Sequence, residues 1–140
     1  MDASVLNLSP AEVERYGRQL QSASWGGAAQ MQLKSALVVL LGLTSLTEAA
    51  AGNLITVGLG RLRLVESERV SLADLGFLFR EADLHKPKVK VAERRLQELN
   101  PFASLEPLER KITPNNLKGV IAGADLVLTQ AGAIPSWLDW

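Results

Sequence analysis

The sequence predicts an α/β domain built on the first half of a doubly wound sheet: about four mainly parallel strands in the order 3-2-1-4, with flanking helices. Three observations carry this. The apolar run Ala36-Leu37-Val38-Val39-Leu40-Leu41 stops at Gly42. A second run, Arg61-Leu62-Arg63-Leu64-Val65, closes with Glu66, and between the two Leu46, Ala49, Ala50, Leu54 and Val57 recur at helical spacing. The alternation of strand and helix then continues downstream, and alternation of this kind means parallel pairing through right-handed crossovers. Strand, glycine turn, helix, strand is the unit around which the rest must pack.

Each element has a local reason. Ser9-Pro10-Ala11-Glu12 is a helix start, with Ser9 as cap, Pro10 at the first helical position and Glu12 completing a capping box. That helix runs to about Leu20 with Val13, Tyr16 and Leu20 on one side. Gly26-Gly27 breaks it, and a short second helix through Gln30, Met31 and Leu33 leads into the first strand. After the second strand comes a loop, Ser67 to Leu84, holding the apolar cluster Phe77-Leu78-Phe79. Pro87 opens a helix over residues 87–99, with Val89, Ala92, Leu96 and Leu99 as its core stripe, and Asn100-Pro101 stops it. Ala103 to Leu108 forms a third strand. Thr113-Pro114 starts another helix, with Leu117, Val120 and Ile121 facing inward and Gly123 at its C-terminus. Ala124 to Thr129 is the fourth strand. The tail holds Trp137, Leu138 and Trp140, which either fold back on the sheet or meet a partner.

Composition narrows the function. The chain has 140 residues, enough for one domain with a real core, and equal numbers of acidic and basic residues give it zero net charge. Nothing pulls it toward nucleic acid or an anionic membrane. It has no cysteine, so disulfides, thiolate metal sites and a cysteine nucleophile are excluded on this chain. The one histidine, His85, lies in a loop, and no spacing around it suggests a metal site. The longest apolar run is too short to span a bilayer, and Met1-Asp2-Ala3 lacks the shape of a signal peptide. The expected location is cytoplasmic, nuclear or both.

Arg15-Tyr16-Gly17-Arg18-Gln19-Leu20, Trp25-Gly26 with Ala29-Gln30, Lys86-Pro87-Lys88 and Leu99-Asn100-Pro101 follow one another in order, and together they resemble the adenylation-domain family shared by ubiquitin-activating enzymes and their ThiF and MoeB relatives in thiamine and molybdopterin synthesis, a Rossmann-like fold. Arg15-Tyr16-Gly17-Arg18-Gln19-Leu20 resembles the family's opening R-Y-x-R-Q, and Trp25-Gly26 with Ala29-Gln30 its W-G-x-x-x-Q. Val70 to Leu75 with Phe77 to Glu81 is similar to the loop after the second strand. Lys86-Pro87-Lys88, Leu99-Asn100-Pro101 and Ala122 to Val127 fall in register with later family motifs, so the match covers residues 9–129. The expected organisation is an N-terminal helical segment over 1–34, a shortened adenylation-type domain over 35–129, and a tail over 130–140.

The resemblance implies attack of a ubiquitin-like protein's C-terminal carboxylate on the α-phosphate of ATP, aided by Arg, Lys and magnesium. It also implies a turn of the form G-x-G-G-x-G, where this chain has Gly42-Leu43-Thr44-Ser45-Leu46-Thr47. Thr44, Ser45 and Thr47 would occupy the space that glycines leave for phosphate, although their hydroxyls can also donate to it. Glu66 stands where the family binds ribose, and Lys88 where a lysine reaches the triphosphate. Lys86, Lys90, Arg94 and Arg95 read as a solvated charged face. The family's loop arginine is missing around Asp74-Leu75-Gly76-Phe77. Its magnesium aspartate is missing from Thr129-Gln130-Ala131-Gly132.

These losses point to a non-catalytic, pseudo-adenylation subunit of a heterodimeric activating enzyme, nearest the SUMO type or the equivalent subunit for neddylation. On that expectation the chain has no catalytic residue and no metal of its own. Gly42, Glu66 and Lys88 are a remnant ATP site, ATP and magnesium sit on the partner subunit, and Arg18 is offered to that partner's site. Its partners are a catalytic activating-enzyme subunit and a ubiquitin-like protein, with no nucleic acid or membrane. Two alternatives stand beside it: an active ThiF/MoeB-type adenylyltransferase for a ubiquitin-like sulfur carrier, working as a homodimer, and a truncated scaffold that only binds a partner.

Overall fold

A computed structural model describes residues 7–130. The tail residues Trp137, Leu138 and Trp140 lie outside the described residues. The sheet has four parallel strands in the order β3-β2-β1-β4: β1 is Leu37–Leu41, β2 Arg61–Val65, β3 Ser104–Leu108 and β4 Leu126–Thr129. This is the expected order. Val38 pairs with Leu62 on one side and with Leu126 on the other. β1 is buried along its whole length, as an inner strand covered on both faces must be. β3 is an edge strand, which is where its Pro107 is tolerated.

Alternate strand residues face opposite sides. Val38, Leu40, Leu62 and Leu64 point into the larger core. There they meet Ala51 and Ile55 of α3 (Ser45–Thr56) and Val89, Ala92 and Leu96 of α4 (Lys88–Leu99). Leu37, Val39, Leu41 and Val65 face the other way, against Val120 and Leu117 of α5 (Pro114–Val120). Arg63 lies on that second face, donating to Glu106 at 2.8 Å and to the carbonyl of Val120 at 2.7 Å.

Two helices precede the sheet, α1 (Pro10–Leu20) and α2 (Gly26–Ser35). The capping box at Ser9 and Glu12 is formed as the local rule expects. The pair is fixed by polar groups buried in the core's end. Gln30 is fully buried; its Nε2 donates to the Val57 carbonyl at 3.0 Å, and its Oε1 accepts from Gln19 Nε2 and Trp25 Nε1. Asn100 is also fully buried. Its Nδ2 donates to Tyr16 Oη at 2.7 Å and to the Ile55 carbonyl at 2.8 Å, and its Oδ1 accepts from the Phe102 N–H. The sequence marked Asn100 only as a helix stop; the fold uses it to join α1, α3 and α4. Replacing it by alanine leaves the Ile55 carbonyl and the Phe102 N–H without these partners. The expected loss is about 2 kcal/mol, read from the urea unfolding midpoint; an unmoved midpoint would show that the join contributes nothing.

Of the apolar residues that recur at helical spacing along α3, Leu54 packs against the larger core. The helix buries Thr47, Glu48, Ala51, Gly52 and Ile55, and Leu46 is 64% exposed. In the Phe77-Leu78-Phe79 cluster, Leu78 and Phe79 are buried while Phe77 is largely exposed. The Phe77 ring lies over Gly52, where a Cβ would meet it, so close packing on α3 depends on that glycine.

Candidate functional site

The chain leaves β1 at Gly42, whose φ of 86° lies in the left-handed region, and enters α3 through Thr44. Thr44 and Thr47 form a capping box. The Thr47 hydroxyl accepts the Thr44 N–H at 2.9 Å and donates to the Gly42 carbonyl at 2.9 Å. The hydroxyl of Thr47 therefore ties the turn together from inside.

A cavity of about 330 Å³ opens at the carboxyl ends of β1 and β2, beside this turn. That is within the size range of small-ligand sites, roughly 300–1,000 Å³. Gly42, Thr44, Glu66, Glu68, Lys88 and Arg110 are among its lining residues. Ser45 and Thr47 are not, which corrects the expectation that three side chains crowd the phosphate space: of the three, only Thr44 borders the cavity.

The structure brings Gly42, Glu66 and Lys88 together at this cavity. Glu66 stands at the end of β2 with its carboxylate turned back. Oε2 accepts from the Leu43 N–H at 3.1 Å, and Oε1 from the N–H groups of Ser67 at 2.7 Å and Glu68 at 2.9 Å. It thus links the β1–α3 turn to the loop after β2.

Lys88, at the start of α4, has a side chain only 5% exposed. Its Nζ lies 2.7 Å from Asp74 Oδ1 and 3.4 Å from Glu68 Oε2. Burial alone would lower the Lys88 ammonium, but the hydrogen bond and charge of Asp74, then the charge of Glu66 and the hydrogen bond to Glu68, outweigh it and hold it above the usual lysine value. Burial alone would raise Asp74; Lys88 and the hydroxyl and N–H of Ser71 outweigh that and hold it below the usual carboxylate range. Behind the pair sits Glu48, 2% exposed, accepting from the Leu78 N–H at 3.3 Å. Burial pushes the Glu48 carboxyl up, the nearby Asp74 charge adds to this, and the Leu78 N–H and Lys88 oppose it.

Sequence reasoning missed Asp74, Glu48, Arg110 and Lys111. The signal for Asp74 was present, since Ser71 and Asp74 have capping-box spacing and do form one. The charged face of α4 is also only partly solvated. Arg94, Arg95 and Lys86 converge on Asp83, which is 1% exposed. His85 is an exposed loop residue, as expected, with its backbone in the left-handed region.

The structure does not bring Arg18 to the cavity. It is exposed on α1, and α1 is held at the C-terminal end of α3 through Gln19 and the Val57 carbonyl. The cavity lies at the other end of that 12-residue helix, about 18 Å away. Among the described residues, no group of three or more His, Cys, Asp or Glu side chains is arranged to hold a metal. No described helix is long and apolar enough to cross a membrane.

Comparison with known proteins adds the following. The ThiF family profile matches residues 16–133. The heterocyst protein HesA of Trichormus variabilis is 36% identical over 126 residues, covering 89% of this chain and 47% of HesA. The sulfur carrier protein adenylyltransferase of Thermus thermophilus is 33% identical over 127 residues, covering 89% of this chain and 47% of that one. The chain thus spans about half the length of the curated relatives it matches. The crystal structure of E. coli tRNA N6-threonylcarbamoyladenosine dehydratase, TcdA, superposes with a TM-score of 0.82, covering 89% of this chain and 53% of that one. At 20% identity it supports the fold alone. HesA and the sulfur carrier adenylyltransferase overturn the expectation of a SUMO-type non-catalytic subunit. That expectation gave great weight to missing glycines, whose place at the turn is taken by an internally bonded pair of threonines.

Proposed function

The chain belongs to the ThiF family, and from that premise we propose that it forms the ATP-binding part of an adenylyltransferase acting on a ubiquitin-like sulfur carrier. The carrying observation is the cavity beside Gly42, at the carboxyl edge of the sheet, where open α/β sheets bind their ligands. In the reaction, the carrier's C-terminal carboxylate oxygen attacks the α-phosphorus of ATP. The bond from that phosphorus to the β-phosphate oxygen breaks, and pyrophosphate leaves. Catalysis of such a transfer is mostly positioning and charge stabilisation.

The site residues fit parts of this role. A carboxylate offers about four acceptor positions; Glu66 fills three with backbone N–H groups and keeps one for a ribose hydroxyl. Lys88 gives two of its three donors to Asp74 and Glu68 and keeps one for a phosphate oxygen. Among the described residues no group of three or more His, Cys, Asp or Glu side chains is arranged to hold a metal, and magnesium is not assigned to them. Arg18 falls well short of its own cavity. In this reading it serves the cavity of a second copy in a homodimer.

The test is thermal unfolding of the full chain with and without ATP. At about one hundred times the dissociation constant, ATP is expected to add roughly 2.7 kcal/mol of stability, a shift of several degrees. No shift at any ATP concentration up to the millimolar range would sink the reading.

A further inference from the structure

We propose that Arg110 and Lys111, on the connection from β3 to α5, are the residues that hold the polyphosphate of the ligand in this cavity. The inference rests on the ATP reading above and names the groups that balance the ligand's charge.

Position comes first. β3 ends at Leu108, whose carbonyl accepts the N–H of Arg110 at 2.9 Å and that of Glu66 at 3.2 Å. This tight reversal fixes Arg110 beside the end of β2. Ile112 packs into the smaller core next to the strand ends, anchoring the connection just after Lys111. Both cations line the cavity.

Partners come second. Among the described residues, neither Arg110 nor Lys111 is paired with an acid, whereas Arg63, Arg94, Arg95 and Lys88 all are.

Charge decides the matter. Without the pair, Glu66, Glu68 and Asp74 face the single ammonium of Lys88. A triphosphate entering there would meet a net negative field. The Leu43 N–H at the turn, which could serve a phosphate oxygen, is held by Glu66. Arg110 and Lys111 cancel that excess, bringing three cations against three carboxylates, and a guanidinium can grip phosphate through two parallel hydrogen bonds.

Isothermal titration of the full chain with inorganic tripolyphosphate and, separately, with adenosine tests this. Tripolyphosphate is expected to bind the parent chain, more weakly as salt rises. Arg110→Ala and Lys111→Ala should each weaken it about tenfold and together about a hundredfold, the scale of a charge-assisted hydrogen bond apiece. Arg110→Lys should retain part of the affinity. Adenosine binding should be the same in all of these. Both positions are exposed, and an unchanged unfolding midpoint confirms that the variants fold. Tripolyphosphate bound equally by the double variant, or not bound by the parent, would overturn the inference. If the parent binds tripolyphosphate through this pair but takes neither adenosine nor ATP, the inference stands and the ATP reading fails.

Discussion

Alanine at Gly60 is expected to remove a large share of the domain's stability. Gly60 lies between α2 and β2, where its N–H donates to the Leu33 carbonyl at 3.1 Å and its carbonyl accepts the Ser104 N–H at 2.8 Å. A Cβ there would coincide with the carbonyl oxygen of Lys34, which is backbone at the end of a helix and cannot rotate away. Relief would require α2 to move off β2, breaking the bond from the Gly60 N–H to the Leu33 carbonyl and that from the Arg61 N–H to the Ala36 carbonyl. The cost is about 4 kcal/mol or more, against a typical domain stability of roughly 5–15 kcal/mol. Gly119→Ala is the control, because a Cβ there meets nothing and α5 should gain slightly from it. Urea midpoints of the two variants separate the outcomes; equal midpoints would refute the clash.

Lys88→Met is the second large effect. The thioether stem keeps the packing but removes the one cation that pairs with Asp74 among the described residues, where the Asp74 side chain is 15% exposed. An uncompensated carboxylate near Glu48 and Glu68 is expected to cost about 3 kcal/mol at pH 7. The pH dependence gives the sign. Asp74 is depressed in the folded state, so its contribution is present above the ordinary value of 3.8 and is lost as pH falls through its folded value. Lys88 is raised, so its contribution is complete below 10.5 and is lost as pH rises through its folded value. Between those limits the pair's contribution in the parent chain is flat. In Lys88→Met the penalty should shrink as acid protonates Asp74, and adding Asp74→Asn should recover most of the loss at pH 7. A penalty that is constant from pH 3 to 8 (on the order of one carboxylate titration, about 3–5) would mean the charge pair is not its source.

Much of the fold was legible because its signals are local. The Ser9 box, the two apolar runs around Gly42 and the Pro87 helix start each depend on neighbours a few positions away, and each element formed where those neighbours placed it. The strand order followed from alternation alone. What was not legible depends on distance in the chain. Nothing local distinguishes the buried Gln30 and Asn100 from exposed amides; their partners lie on other elements. Glu48 looks like a helix-surface acid until Leu78 arrives with an N–H in need of an acceptor. At the site, Gly42, Glu66 and Lys88 were found because the family motifs mark them. Arg110 and Lys111 resemble any other surface cations in sequence, and only the turn after β3 carries them to the cavity.

The two neighbours of β1 also differ in how they are reached. Val38 meets Leu62 across one short helix, but meets Leu126 only after most of the chain has been threaded between them. Each doubling of the intervening segment adds about 0.6 kcal/mol of closure entropy, so docking β4 is the dearer event by about 1 kcal/mol. The β1–α3–β2 unit is therefore the natural nucleus, and the last strand should join late. Asp125 is suited to that final step: its N–H donates to the Leu37 carbonyl while its carboxylate accepts the Leu37 N–H. One residue thus sets the register of the latecomer from its first contact.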